Sequence, residues 1–201
     1  MQFGSPIDRR KVLPLVAGTQ WNQMLELNRM AFSERLPRNS ESRAMAVAFR
    51  MLRRHRPDIK WILSFSDAAQ CGDGAIYRAA GFVLTGIKPN GQILEMPDGT
   101  RIAKLSLDSP AYTGADGTLG SRRAIEAGAR LLQGYQLRYI YFTDKAWLAQ
   151  LQVPVIPFDK IPADARMYRG VRQPIEGARQ PSGTGGADPT LALHREKPDA
   201  D

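Results

Sequence analysis

Two side chains stand where proton chemistry is feasible, Asp67 and Tyr77. Lys60-Trp61-Ile62-Leu63-Ser64-Phe65, a short and nearly continuous apolar run that ends at Ser66-Asp67, reads as a central strand buried on both faces. In open α/β sheets ligands bind at the carboxyl ends of such strands, and a carboxylate there can accept a proton or hold a metal. Tyr77 comes after the turn Gln70-Cys71-Gly72-Asp73-Gly74, in a short helix predicted from Ala75 to Ala80 with Gly81 as its C′ residue. A phenol at that position can protonate a leaving group. Each residue also has a plainer use: an Asp at a strand end is a routine turn or cap residue, and a Tyr between strands fills cores. Cys71 reads as a small buried residue rather than a nucleophile, because neither His55 nor His194 stands near it in sequence.

A second constellation is cationic. Trp21 to Phe32 reads as a strand with an irregularity near Asn28-Arg29, because neither alternating face is wholly apolar. Arg29 on that strand either snorkels to the sheet edge or aims at an anion. A loop from Ser33 to Asn39 leads to an amphipathic helix predicted from Ser40 to His55, with Asn39 or Ser40 as N-cap and Pro57 ending it. Its predicted buried face is Ala44, Val47, Ala48, Met51 and Leu52. Arg35, Arg38 and Arg43 surround the helix N-terminus, where a lone cation opposes the helix dipole. Several cations there make sense around a bound anion, such as a phosphate held by the exposed backbone N–H groups. A solvated basic face is the common alternative for such a run.

The elements that must carry these residues form an α/β chain. The 201 residues, 43% apolar, are enough for one domain with a sizeable core and a tail. No apolar run is long enough to span a bilayer and no signal-peptide pattern opens the chain, so the reading is cytoplasmic. One cysteine excludes an internal disulfide framework. The formal charge of +8 favours a polyanionic partner, although excess Lys and Arg also serve solubility. At the N-terminus, Pro14 limits any helix to a short one and Gly18 stops it. Phe82 to Thr85 is the next predicted strand, with a turn at Lys88-Pro89-Asn90-Gly91. Gln92 to Met96 and Arg101 to Leu107 pair as a hairpin across Pro97-Asp98-Gly99, and Ser109 to Gly120 is a loop. Ser121 to Gln133 reads as a helix with Arg122, Arg123 and Arg130 exposed, Leu137 to Phe142 as a strand, and Lys145 to Leu151 as a helical turn capped by Asp144. Gln152 to Phe158 reads as extended. The segment 171–201 gathers Gly, Pro and charge and is expected to be a disordered tail to a domain spanning 1–170. Nucleotide-binding, serine-hydrolase and zinc signatures are absent from the sequence.

With Tyr77-Arg78-Ala79-Ala80-Gly81-Phe82 following strand, basic helix and strand, the order resembles the acyl-CoA N-acyltransferase (GNAT) superfamily. More narrowly, ELNRMAF, RLPRNSESRA, HRPDIKW, QCGDG, IYRAAGFVLTGIK and RYIYFTDKAWLAQLQVPVIPF are similar to segments of the Mom DNA-modification proteins of Mu-like phages, across roughly residues 1–170. The resemblance implies a GNAT-like mixed, twisted sheet flanked by helices and lacking the first strands of the fold. It implies an enzyme that uses acetyl-CoA to modify the exocyclic amine of adenine in DNA, protecting phage DNA from restriction. Carried over by motif, Arg29 and Ser42 contact the cofactor beside Arg35, Arg38, Ser40 and Arg43, and Asp67 and Tyr77 stand at the reacting end. Members of the family begin well before the position of Met1, with a His-Tyr pair proposed to bind iron together with the Asp, so Asp67 is also the metal ligand this implies. The usual glycine-bearing phosphate loop is replaced by Arg35-Leu36-Pro37-Arg38-Asn39-Ser40, which shifts phosphate contact to arginines and hydroxyls. The partners implied are double-stranded DNA and acetyl-CoA, with a homodimer left open. Competing readings are an acetyltransferase of a small amine or peptide and an inactive basic DNA-binding module.

Overall fold

A computed structural model describes residues 1–33, 35–37, 39–68, 72–109, 120–165, 167–168 and 171–172. The chain opens with β1 (Gln2–Gly4) and a short helix α1 (Arg9–Val12), which Asp8 caps by accepting from the Lys11 N–H. A 3-10 turn through Pro14 follows and ends at Leu15, where Val16 is already extended; Gly18, expected to stop it, lies beyond at φ +72°. β2 (Met24–Arg29), α2 (Ser40–His55) and β3 (Trp61–Asp67) come next, then α3 (Ala75–Ala79) and β4 (Val83–Pro89). An insertion holds β5 (Ile93–Glu95), β6 (Arg101–Ala103), α4 (Lys104–Leu107), α5 (Ser121–Glu126) and β7 (Arg130–Leu131). The chain then returns through β8 (Tyr135–Phe142).

The main sheet has the order β1-β2-β3-β8-β4. Only β2 and β3 run parallel; the other neighbours are antiparallel, so the sheet is mixed, and like all such sheets it twists. β3 is central, as its apolar run predicts: Trp61, Ile62, Leu63 and Ser64 are fully buried. Alternation along it divides the core. Ile62, with Tyr139, Leu84 and Leu137, faces Met45 and Phe49 of α2. Trp61 and Leu63, with Ile140 and Phe142, face Val12, Leu15 and Val16 on the other side. Each large apolar side chain buried this way contributes about 1.5–3 kcal/mol. The insertion has its own small core of Leu94, Leu107, Ala124 and Ala129 and its own sheet, β6-β5-β7.

Several sequence expectations shift. The bounds of α2 match, but its buried face is centred on Met45 and Phe49, with Leu52 packed beside them, while Val47 and Met51 are exposed. The largest ring decides: Phe49 stacks on Tyr141 at 4.1 Å and contacts Phe82 at 5.7 Å, turning the helix towards it. The strand after α3 runs on to Pro89, past a bulge at Thr85, so the turn begins at Asn90, whose amide bonds both sides of it. The hairpin forms across Pro97-Asp98-Gly99, but its second arm becomes α4 after Ala103. The helix from Ser121 ends at Glu126: Gly128 at φ +102° reverses the chain and returns Arg130 and Leu131 to β5. Arg122, Arg123 and Arg130 are exposed, as expected. Asp144 caps its turn by accepting from the Ala146 N–H. Met167–Tyr168 (β9) and Val171–Arg172 (β10) form a small antiparallel pair, so the start of the expected tail is hydrogen-bonded; the rest of that tail, Cys71, and most of the Ser109 to Gly120 loop lie outside the described residues.

Gly74 joins β3 to α3 at a point where no side chain fits. Its φ is +75°, and a Cβ there would lie 2.5 Å from the Tyr139 ring. Gly74→Ala is therefore expected to cost about 2–5 kcal/mol, from left-handed strain plus overpacking. Thermal or urea unfolding checks it, with Gly91→Ala, where a Cβ meets open space, as the near-neutral control.

Candidate functional site

β2 and β3 are paired only from Met24↔Trp61 to Glu26↔Leu63, yet both continue, to Arg29 and to Asp67. The two parallel strands separate there, and local chemistry accounts for it. β1 pairs Gln2 with Arg29 and Phe3 with Leu27, so Asn28 is an extra residue, a bulge that bends β2 away. Gly4 accommodates the bulge, because a Cβ on it would sit 2.7 Å from Asn28 Oδ1. This is the irregularity the sequence predicts near Asn28-Arg29. Across the fork, the buried Ser64 hydroxyl donates to the Leu27 carbonyl at 3.4 Å, satisfying an acceptor that the strand ladder has left.

A cavity of about 590 Å³ fills the fork. Leu27 to Met30 form one wall, Phe65 to Asp67 the other, and Gly72 to Tyr77 close the end. Arg29, Asp67 and Tyr77, separate in sequence, line this one space. Asp67 is half-buried at the carboxyl end of β3. The Tyr77 ring packs on Phe82 and Tyr139, with centroids 5.2 and 5.3 Å away, and its hydroxyl is 3.5 Å from the Phe65 carbonyl. So the core-tyrosine reading holds for the ring, while the oxygen end reaches the cavity.

The floor of the cavity is fixed by groups that sequence reasoning did not single out. Ser66 donates to the Gly72 carbonyl at 2.8 Å, and Tyr139 donates to the Asp73 carbonyl at 2.5 Å. Burial pushes the Tyr139 phenol well above its ordinary pKa, so it remains a donor. Asp73, nearly buried, pairs with Arg78 at 2.8 Å and accepts from the Ala75 N–H, and Arg78 also lies over the Phe158 ring at 5.3 Å. The only sequence signal for this brace is Gly72-Asp73-Gly74 just before a short helix.

The other cationic residues stand on the segment leaving the cavity wall. Arg35 and Arg43 are exposed; Ser40 and Ser42 are half-buried at the start of α2. Asn39 occupies the N-cap position at φ +68°, with no side chain capping the helix. The Ser40 and Ser42 hydroxyls instead donate to the carbonyls of Pro37 and Asn39. Arg38 lies outside the described residues. None of the described residues among these lines the cavity itself. Among the described residues no group of three or more His, Cys, Asp and Glu side chains is placed to hold a metal, so Asp67 is a single carboxylate and these residues alone do not fit an iron site.

The family model of the Mom protein family matches residues 1–160, nearly all of the chain that forms the sheet and the fork. The chain belongs to the Mom family. It is 31% identical to the "Methylcarbamoylase mom" of Escherichia phage Mu over 146 residues, which is 72% of this chain and 58% of that relative. The chain thus spans less than two thirds of the relative's length. No helix among the described residues of this Mom-family chain is long and apolar enough to cross a membrane.

Glu26 marks the last paired row before the fork, and burial raises its pKa. A carboxyl whose folded pKa is raised favours folding while protonated, and loses that contribution as pH rises through the folded value. Glu26→Gln is therefore expected to stabilise the protein near neutral pH, by less than about 1 kcal/mol. The gain should vanish below the ordinary Glu value of 4.5, which paired melting curves across that range would show.

Proposed function

We propose that this Mom-family protein modifies the exocyclic amine of adenine in DNA with a group derived from acetyl-CoA, in a GNAT-like fold, and so shields phage DNA from restriction. The observation that carries the reading is the fork: two parallel strands separated beyond a bulge, with a carboxylate and a phenol at one end. The strand carrying Arg29 then leads directly to an uncapped helix N-terminus. A long thiol cofactor suits this layout. Its acyl-bearing arm needs a channel between strands, and its pyrophosphate needs unpaired backbone N–H groups with cations nearby. The start of α2 offers both, with Arg35, Arg38 and Arg43 close in sequence and Arg29 on the cavity wall. The methylcarbamoylase name belongs to the phage Mu relative. It favours acyl-type transfer to nitrogen here over a passive binding role.

In this reading Asp67 accepts the proton that the weakly nucleophilic adenine amine must lose as its nitrogen forms the new bond to carbon. Tyr77 gives its proton to the departing thiolate, and the brace at Asp73, Arg78 and Tyr139 holds that phenol in place. The net charge of +8 draws in the DNA backbone. α2 contributes Arg43, Arg50 and Arg54, all exposed, whereas Arg56 is engaged by Asp58 and Arg53 donates to the Tyr141 hydroxyl.

Three measurements test the assignment. Arg29→Ala and Ser42→Ala are expected to weaken acetyl-CoA binding about tenfold each with the melting temperature unchanged; unaltered affinity by calorimetry in both variants removes the cofactor from this position. Asp67→Asn and Tyr77→Phe are each expected to lower modified adenine, read by nucleoside mass spectrometry of DNA from expressing cells, by about a hundredfold or more. Unchanged modification alongside a lowered melting temperature would return both residues to purely structural roles. Duplex DNA binding should fall steeply as salt rises, and a flat salt profile excludes a phosphate-dominated contact.

A further inference from the structure

On the sheet face away from α2, the apolar core stops at the row Leu63 and Ile140. The next residues on that face are Phe65 on β3 and, directly opposite it, Arg138 on β8. Phe65 departs from the rest of its strand: Trp61 to Ser64 are fully buried, whereas Phe65 is 36% exposed. A solvent-facing ring in the central strand of a sheet forgoes apolar burial. It also lines the cavity, and Asp67 lies two positions on along the same strand face.

Arg138 turns away from it, across the neighbouring strand β4. Its Nε donates to Thr85 Oγ1 at 3.1 Å and an Nη donates to the Thr85 carbonyl at 2.8 Å. The bulge at Thr85 turns these acceptors towards it, and the side chain crosses Gly86, where an added Cβ would touch Arg138 Cβ, Nε and Cζ at 3.4 Å. The guanidinium is thus oriented before any ligand arrives. With the guanidinium drawn to β4, the Phe65 ring is left exposed at the cavity, and an exposed aromatic ring is the kind of surface on which unpaired nucleobases stack.

Resting on the function proposed above, we infer that Phe65 is the platform for a purine base swung out of duplex DNA, presenting its amine towards Asp67. A paired adenine keeps its amine inside the duplex, so an enzyme acting on it must receive the base unstacked. A single base has the flat shape that this ring matches, and the positive charge of the chain suits the backbone that delivers it. Phe65 is a positioning residue here; it takes no proton.

The test uses the full chain, acetyl-CoA, and two fluorescently labelled short duplexes, one fully paired and one with a single unpaired adenine. The wild type is expected to bind the duplex with the unpaired adenine about tenfold more tightly. Phe65→Leu keeps apolar bulk but has no π face, and is expected to erase that preference; Phe65→Tyr is expected to retain it. Equal affinity of the wild type for both duplexes overturns the platform and leaves the proposed function standing. A preference that survives Phe65→Leu also overturns it, as does a loss of acetyl-CoA affinity in that variant, which would place Phe65 in the donor channel. Failure of the wild type to bind either duplex overturns the DNA reading itself, and the platform with it.

Discussion

The separation of β2 from β3 is the constraint on which the site depends. Parallel neighbours normally stay hydrogen-bonded along their length, because a strand that leaves its ladder strands carbonyls and N–H groups in a poorly hydrated place. Here the cost is met locally. The extra residue at Asn28 redirects β2 while β1 still satisfies its outer edge, and Ser64 supplies a hydroxyl to the Leu27 carbonyl. β3 stays paired with β8 along its other edge, from Trp61↔Phe142 through to Asp67↔Gln136, and on the open edge its Phe65 carbonyl lies 3.5 Å from the Tyr77 hydroxyl. The strand bearing Asp67 is therefore anchored on one side and open on the other. That combination gives a rigid wall beside an accessible space.

Rigidity on the far side of the opening comes from Tyr139. It sits on the strand next to β3, and its ring faces α2 and α3 rather than the cavity floor's solvent side. Its hydroxyl holds the Asp73 carbonyl, its ring forbids a side chain at Gly74, and its edge supports Tyr77. One buried phenol thus sets the entry angle of α3, a helix too short to be stable alone. The Asp73–Arg78 pair closes the same turn from outside and is itself stacked on Phe158. Tyr77 inherits its position from this arrangement, so this end of the cavity is specified by contacts of high sequence separation.

That dependence explains what the sequence made legible. Local signals carried well: the apolar run of β3, the length of α2, Gly81 as a helix stop, the Asp144 cap and the irregular strand at Asn28-Arg29 are each written within a few neighbouring residues. Asp67, Tyr77 and Arg29 were legible as candidates because strand ends and helix starts are where ligands bind. Properties that need a partner were not. The buried face of α2 turns on Phe49 meeting Tyr141, remote in sequence, and residues 121–133 split into helix and strand because β5 offers an edge to Arg130 and Leu131. Phe65 read as one more buried residue of an apolar run; its exposure is visible only once the core on that face is seen to end at Leu63.

The two faces of the sheet then differ in a way that bears on chemistry. The face under α2 and α3 is filled with rings from Phe3 to Phe158 and leaves little freedom. On the opposite face the apolar layer ends part-way along the strands, and Glu26 and Arg138 lie half-buried beyond it, the one with its pKa raised by burial and the other with its pKa lowered by burial. Both shifts arise from desolvation, so this region is already partly stripped of water. Charges and dipoles act more strongly in such a setting than at an open surface, and fixed groups need not reorganise when a reaction begins. Asp67 stands at the edge of this zone, half-buried at the carboxyl end of β3. The unpairing of two strands supplies the space, and the unfinished core on one face supplies the medium.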